Sequence, residues 1–290
     1  MDAHFTSGPL NNDLLWLSGS HRGDYYFQNP DRDDGILRIR RGDQDLWKHL
    51  KSHPIPENVM EFITLAGFGG IVQCGNRRLD RALISALVER WRPETHTFHL
   101  PIGETTITLQ DVNILWGLPI EGNVVSGVEL NLNNSQITAL FENLVGEELP
   151  LEAVNGYKIN LPFILTKIKT DLPENPTRLQ SIQQARLIIF FLIGATLFPD
   201  SASNWVHINY LSHLEDLNNC GELSWGSAVL ACLYKHLCKV TDISRTDISG
   251  PVFLLQLWAW ERFTGFAPEA VNAIDFQKPY GARYVLNNTL

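Results

Sequence analysis

The sequence predicts a mainly α-helical protein, a single multi-helical domain around a central apolar helix, with one small β-hairpin. Apolar residues recur at three-to-four-residue spacing in most segments after residue 43, which is the period of an amphipathic helix. Residues 252–263 are apolar almost all round, so this helix belongs at the centre of the fold. Convincing alternation of polar and apolar side chains is confined to residues 97–109.

Residues 1–35 are predicted to form an irregular N-terminal arm. They are rich in Asn, Asp, Gly and Ser around scattered aromatic residues, a composition typical of loops. Trp16 is expected to pack this arm against the rest of the protein. Residues 36–290 are predicted to form the domain, because no internal repeat, low-complexity tract or long linker divides them.

Helix signals begin at Asp43, which is placed as the N-cap of the first predicted helix. A second helix is predicted to start near Pro56, a residue suited to the first turn, and to stop at Gly67. Residues 79–91 predict the strongest helix of the N-terminal half, and Pro93 ends it.

The predicted hairpin pairs residues 97–100 with residues 105–109. Thr108 stands three residues before Asp111 in a variant of the capping box, so a short helix is predicted at 109–116. Turn residues that include Gly127 and Asn131 then predict a looser middle. Further helices are predicted at 136–145, with Ser135 as its cap, and at 161–169, 177–197, 206–217, 224–239 and 252–263.

Composition excludes several classes of protein. The formal net charge of −9 argues against a surface that traps nucleic acid or anionic lipid everywhere. The longest apolar run, 187–198, has twelve residues, whereas a membrane helix needs about 20, so no membrane association is expected. Four cysteines without a C-x-x-C pair, and an N-terminus without a signal-peptide pattern, fit a reducing cytosolic or nuclear setting.

The sequence lacks the common catalytic motifs. It contains no G-x-x-x-x-G-K loop, no G-x-G-x-x-G after a strand, no H-E-x-x-H and no G-x-S-x-G. His96 and His99 have the spacing of a metal pair, but an odd offset in an extended arm points them to opposite faces. We therefore expect a protein that is not an enzyme and has no cofactor, metal or small-molecule substrate.

One region has an excess of positive charge. Between Ile36 and Arg92 there are ten Lys or Arg against six acids, a local charge of +4, which leaves −13 for the remainder. Such a region can contact phosphate or an acidic partner. The alternative is that Arg38, Arg40 and Arg41 pair with the acids Asp31, Asp33, Asp34 and Asp43, and that Arg81 caps a solvated helix face. The candidate partner or nucleic-acid surface comprises Arg38, Arg40, Arg41, Arg77, Arg78, Arg81, Trp16 and Trp205.

Three blocks of the sequence, 79–127, 221–238 and 250–263, resemble the plant mobile domain family, also called the aminotransferase-like plant mobile domain. Ser20, His21 and Arg22, and the stretch 40–43 with Trp47, resemble the N-terminal block of the same family. Its members include the MAIN and MAIN-like proteins. The domain of that family usually continues beyond a motif like residues 279–284, so the resemblance leaves open that a C-terminal part is missing here.

The resemblance implies a nuclear, non-catalytic protein-interaction domain. It implies a role in silencing of transposable elements and genes, in genome integrity and in meristem maintenance, together with a type 7 serine/threonine phosphatase-like partner. The alternative is a nucleic-acid-binding domain of transposon origin that uses the basic region 36–92. A more remote alternative is an unrecognised enzyme, which requires a pocket of titratable groups with perturbed pKa values.

Overall fold

The computed structural model describes residues 11, 14–32, 34–75, 77–126, 132–199, 204–270 and 273–284. Helices dominate these residues, as the sequence predicts. The helices are α1 (Arg22–Gln28), α2 (Gln44–Ser52), α3 (Glu57–Leu65), α4 (Gly69–Cys74), α5 (Arg81–Arg90), α6 (Leu109–Trp116), α7 (Asn134–Val145), α8 (Leu161–Ile168), α9 (Arg178–Leu192), α10 (Asn209–Ser212), α11 (Leu217–Gly221), α12 (Trp225–Val240) and α13 (Val252–Arg262).

Short strands connect the helices and form three small sheets in the described ranges. The strands are β1 (Arg38–Ile39), β2 (Trp91–Arg92), β3 (Thr97–Leu100), β4 (Gly103–Thr105), β5 (Val154–Asn155), β6 (Lys158–Asn160), β7 (Trp205–His207) and β8 (Asp247–Ile248). Strands β1 and β8 pair in parallel, with Arg38 opposite Asp247. The other two sheets are antiparallel, in the orders β2-β3-β4 and β5-β6-β7.

The prediction of one small β-hairpin is wrong. The hairpin β3–β4 exists, but its second strand is Gly103–Thr105, not residues 105–109, and β2 extends it to three strands. The two other sheets are not predicted, because their strands are two or three residues long and are too short to show an alternating pattern. Strand β1 also pairs with β8, which lies near the opposite end of the chain.

Several predicted helices are confirmed with similar bounds, among them α6, α8, α9, α12 and α13. Thr108 and Asp111 form the predicted capping box at the start of α6. The helix predicted at 206–217 is wrong, because β7 occupies its start and the short helix α10 follows. Asn133, not Ser135, caps α7. The predicted turn residues Gly127 and Asn131 lie outside the described residues.

Helix α13 lies at the centre of the protein. Its residues 252–260 are all buried, and Trp258 is fully so, which confirms that the apolar helix lies in the core. Gln256 is the one polar side chain in this run. It accepts a hydrogen bond from the backbone N–H of Asp80 (2.6 Å) and donates one to the carbonyl of Arg78 (3.1 Å). The centre of the fold therefore fixes the start of α5.

Helix α9 is long and apolar. With the π-helical turn Ile193–Leu197 that continues it, the helix spans 20 residues and is apolar enough to cross a membrane by length and composition. However, 67% of its most apolar window is buried inside the protein. Such burial is typical of a core helix, which is what the sequence predicts for residues 187–198.

The N-terminal arm contains a helix. Helix α1 lies within the segment 1–35, which is predicted to be irregular, and it packs against α5. The His21 ring caps α1 by accepting from the N–H of Gly23 (3.0 Å), and its other nitrogen bonds the carbonyl of Trp91 (2.8 Å). Asp24 pairs with the buried Arg92 (2.9 Å). Local composition does not reveal these contacts.

Gly23 allows α1 to approach α5 closely. A Cβ atom at this position would overlap the carbonyl oxygen of Glu89. We expect Gly23→Ala to lower the free energy of unfolding by about 1–3 kcal/mol, because the backbone of α5 has to move away. Urea denaturation measures this loss. The control is Gly265→Ala, where a Cβ meets nothing within 4 Å, and equal effects of both substitutions would contradict this account.

The pair of Asp24 and Arg92 provides a second test. The side chain of Arg92 is 2% exposed and that of Asp24 is 26% exposed. Removing the carboxylate of a buried pair takes away an ion-pair partner of the remaining charge, so we expect Asp24→Asn to cost about 2–3 kcal/mol in urea denaturation. The exposed pair of Arg32 and Asp34 is the matched control, and Asp34→Asn should leave the midpoint unchanged. A similar midpoint for both variants would show that the buried pair does not hold α1.

Candidate functional site

The structure brings the candidate arginines of the basic region together at one edge, formed by β1 and the chain before α5. Arg41 donates to the carbonyl of Arg77 (2.7 Å), and Arg81 donates to the carbonyl of Leu37 (3.0 Å). These bonds join residues 37–41 to residues 77–81. We call this edge, with Arg38, Arg40, Arg41, Arg77, Arg78 and Arg81, the arginine edge.

Part of the positive charge at the arginine edge is neutralised. Arg40 pairs with Asp247 (2.9 Å), which is distant in sequence, and Arg41 pairs with Asp43 (2.7 Å), as the alternative interpretation expects. Asp43 also accepts from the indole N–H of Trp47, so it holds the start of α2 by its side chain without capping the helix backbone. These two arginines therefore have structural partners.

The remaining arginines at the edge differ in exposure. Arg77 is half-buried, and its burial lowers the pKa of its guanidinium from the ordinary value. Arg81 is exposed but uses its Nε–H for the bond to Leu37. Arg38 and Arg78 are exposed and form no ion pair with any residue that the structure describes. The charge that can attract a partner comes mainly from Arg38, Arg78 and Arg81, because a carbonyl does not neutralise the guanidinium that it binds.

The two candidate tryptophans belong to other parts of the protein. Trp16 has 74% of its surface exposed, so its ring does not pack the arm against the protein as predicted. The backbone N–H of Trp16 donates to the carboxylate of Glu94 (2.6 Å). Trp205 is half-buried in β7, opposite Asn160 of β6. The predicted combination of arginines and tryptophans is therefore not one contiguous site.

The histidines of the predicted hairpin do not converge. His96 lies in the turn before β3 with φ of 53°, and its ring stacks on Tyr234 at 5.5 Å between centroids. His99 lies in β3, and its Nε2 atom is 3.4 Å from Oε1 of Glu104. Within the described ranges, no group of three or more His, Cys, Asp or Glu side chains is placed to hold a metal ion.

The cysteines are reduced and mostly buried. Burial raises the pKa of the Cys220 thiol to about 12 and that of the Cys232 thiol to about 11, and it raises the pKa of Cys74 as well. Burial also lowers the pKa of His21 and of His236. Thiols with raised pKa values form little thiolate at neutral pH and are poor nucleophiles.

Sequence reasoning missed one charged cavity. A cleft of about 340 Å³ opens between α1, residues 32, 34 and 36–38, and residues 243–246, and we call it the α1 cleft. Its charged lining residues are Arg22, Arg32, Arg38, Arg245 and one acid, Asp34. The sequence held only a weak signal for it, the resemblance of Ser20, His21 and Arg22 to a family block, because the other arginines come from distant segments.

Comparisons with known proteins identify relatives. The family model for the plant mobile domain matches residues 67–289. In Arabidopsis thaliana, the chain is 36% identical over 257 residues to a serine/threonine-protein phosphatase 7 long form homolog. It is 33% identical over 262 residues to protein MAIN-LIKE 2, and 33% identical over 229 residues to protein MAINTENANCE OF MERISTEMS. No solved structure gives a significant match.

These alignments cover 88%, 90% and 78% of this chain, respectively, but 18%, 37% and 46% of the three relatives. The chain thus spans less than half the length of each. The family model covers more than half of the chain and extends from the end of α3 past α13. The resemblance seen in the sequence is therefore confirmed, and the chain belongs to the plant mobile domain family.

Proposed function

We propose that this chain is a non-catalytic, nuclear protein-interaction domain. It acts in silencing of transposable elements and genes, in genome integrity and in meristem maintenance, together with a serine/threonine phosphatase-like partner of the plant type 7 class. The observation that carries the proposal is the alignment of 88% of this chain to 18% of a protein named as a phosphatase 7 homolog. A domain found within a longer protein of that name is suited to work beside a phosphatase.

The names of the other relatives support the meristem role. One is called MAINTENANCE OF MERISTEMS and another is called MAIN-LIKE 2. The absence of a catalytic role is supported by the raised pKa values of the buried thiols and by the dispersed histidines of the hairpin.

An exposed apolar segment is our candidate for the partner interface. Phe266 is 70% exposed, Ile274 is 49% exposed and Phe276 is 86% exposed, all within a short stretch after α13. Phe276 also lines a cavity of about 400 Å³ beside α4 and α6. Large apolar side chains that are exposed near one another in sequence are candidates for a protein interaction site.

The test is a pull-down of phosphatase-like proteins from plant nuclei with the tagged chain, read by mass spectrometry. We expect the wild-type chain to recover such a protein and the double variant Phe266→Ser, Phe276→Ser to lose it. The matched control is Ile102→Ser with Val124→Ser, two residues that are 95% and 78% exposed elsewhere. Recovery of no phosphatase-like protein by the wild-type chain would refute the proposed partnership.

Direct binding of nucleic acid is the second candidate function. It is favoured by the exposure of Arg38 and Arg78 at the arginine edge, where neither has an ion-pair partner among the described residues. It is disfavoured by the carboxylates that already bind Arg40 and Arg41. The net positive charge that the folded region 36–92 presents at its surface is therefore smaller than the charge counted along its sequence.

Binding of duplex or single-stranded DNA at low salt tests this second function by gel shift. If it is correct, the affinity falls steeply with added salt, because bound phosphates release counterions. The variant Arg38→Glu, Arg78→Glu should then abolish the shift, whereas Arg262→Gln, a change at an exposed arginine on α13, should not. No shift with the wild-type chain at low salt would exclude this function.

A further inference from the structure

Arg22 is a buried cation whose hydrogen-bond acceptors are neutral. The residue is 2% exposed. Its guanidinium donates to the carbonyls of Val240 (3.3 Å), Gly35 (3.2 Å) and Arg245. Within the described ranges, no carboxylate lies within ion-pair distance of it. Buried charges in proteins are normally paired with an opposite charge, so this cation lacks the usual compensation.

The α1 cleft places two more cations near Arg22. Arg38 and Arg245 both line it, both are exposed, and neither has an ion-pair partner among the described residues. Arg32 lines it too, but Arg32 is bound to Asp34. The cleft therefore has three arginines, Arg22, Arg38 and Arg245, that form no ion pair with a carboxylate of the described residues.

The described acids near the cleft offset only part of this charge, because the four lining arginines outnumber the one lining acid. Asp34 binds Arg32, and Asp242 accepts a hydrogen bond from the backbone N–H of Ser244. Asp242 attracts both Arg22 and Arg245 without forming an ion pair with either, and Glu89 attracts Arg22, so these two acids offset part of the positive charge. An anion that enters the cleft would therefore meet a positive potential.

The shape of the cleft restricts the anion. A volume of about 340 Å³ admits a compact group with part of its carrier. The rings of Tyr25 and Tyr26 line one side, and the Arg22 guanidinium lies 5.8 Å from the centre of the Tyr26 ring. A phosphomonoester fits, because it has a charge near −2 and three strong acceptor oxygens for arginine forks.

An extended polyanion fits less well. The three arginines all line one cleft of limited volume. The chain as a whole has a net charge of −9, which repels nucleic acid outside such a local site. The arrangement therefore favours one doubly charged group over a run of singly charged phosphodiesters.

We propose that the α1 cleft binds a phosphomonoester carried by a phosphorylated serine or threonine of a protein. Arg38 and Arg245 at the opening contact the phosphoryl oxygens, and Arg22 at the base supplies the fixed charge that draws the group in. The proposal does not depend on the phosphatase-like partner, since it concerns only residues of this chain.

Isothermal titration calorimetry with the full 290-residue chain at low salt tests the proposal. The probe is a short glycine-rich peptide with one central phosphoserine, and the same peptide without phosphate is its comparison. We expect binding of the phosphorylated peptide alone, with competition by inorganic phosphate. Arg38→Gln with Arg245→Gln should weaken binding by about tenfold or more, because two charge-assisted contacts are lost.

The control pair is Lys48→Gln with Arg90→Gln, which removes the same charge from exposed positions outside the cleft and should leave binding unchanged. A second readout avoids any change to the buried arginine: the NMR signal of the Arg22 Nε–H should shift when the phosphorylated peptide is added. Equal binding of both peptides, or unchanged binding by the Arg38 and Arg245 variant, would overturn the proposal. Tighter binding of an oligonucleotide without a terminal phosphate would instead assign the cleft to nucleic acid.

Discussion

The burial of α13 is the constraint on which the rest of the structure depends. A helix that is apolar on every side must be surrounded, and nine successive residues of α13 are buried. Gln256 can remain in this run because both atoms of its amide are satisfied by the backbone at Asp80 and Arg78. Asp80 then caps α5 with its own carboxylate. The core thus fixes the start of α5. Strand β2 follows the end of α5 and contacts the N-terminal segment.

Arginines that donate to carbonyls hold the irregular parts of the chain. Arg186 donates to the carbonyls of Leu144, Leu214 and Glu215 at 2.7–2.8 Å, and so joins the end of α7 to the chain before α11. Arg22 does the same for the end of α12. Loop carbonyls inside a protein need donors, and one guanidinium supplies several. Arg22 differs in that it also lies at the base of a cleft.

The sequence predicts the parts of this fold that depend on local patterns. Apolar periodicity and capping residues locate α6, α9, α12 and α13 because those signals lie within each segment. Pairings between distant segments are not predictable in this way, which is why the additional sheets are missed. Likewise Gly23 and Asp24 look like loop residues, yet their contacts with Glu89 and Arg92 make α1 a fixed helix. The candidate site is predictable as a set of arginines and, for Arg41, with its neighbour Asp43 as partner, whereas the distant partner of Arg40, Asp247, is not.

Counting charge along a segment does not give the charge at a surface. The region 36–92 has an excess of four positive charges, but Arg40 and Arg92 pair with Asp247 and Asp24, which lie outside it. Conversely, three arginines of the α1 cleft have no carboxylate partner among the described residues, and two of them, Arg22 and Arg245, also lie outside that region. Folding thus neutralises part of the positive charge of the region 36–92. It also brings arginines from separate segments of the sequence together at the α1 cleft. A binding surface for an anion therefore has to be sought from the contacts of each arginine.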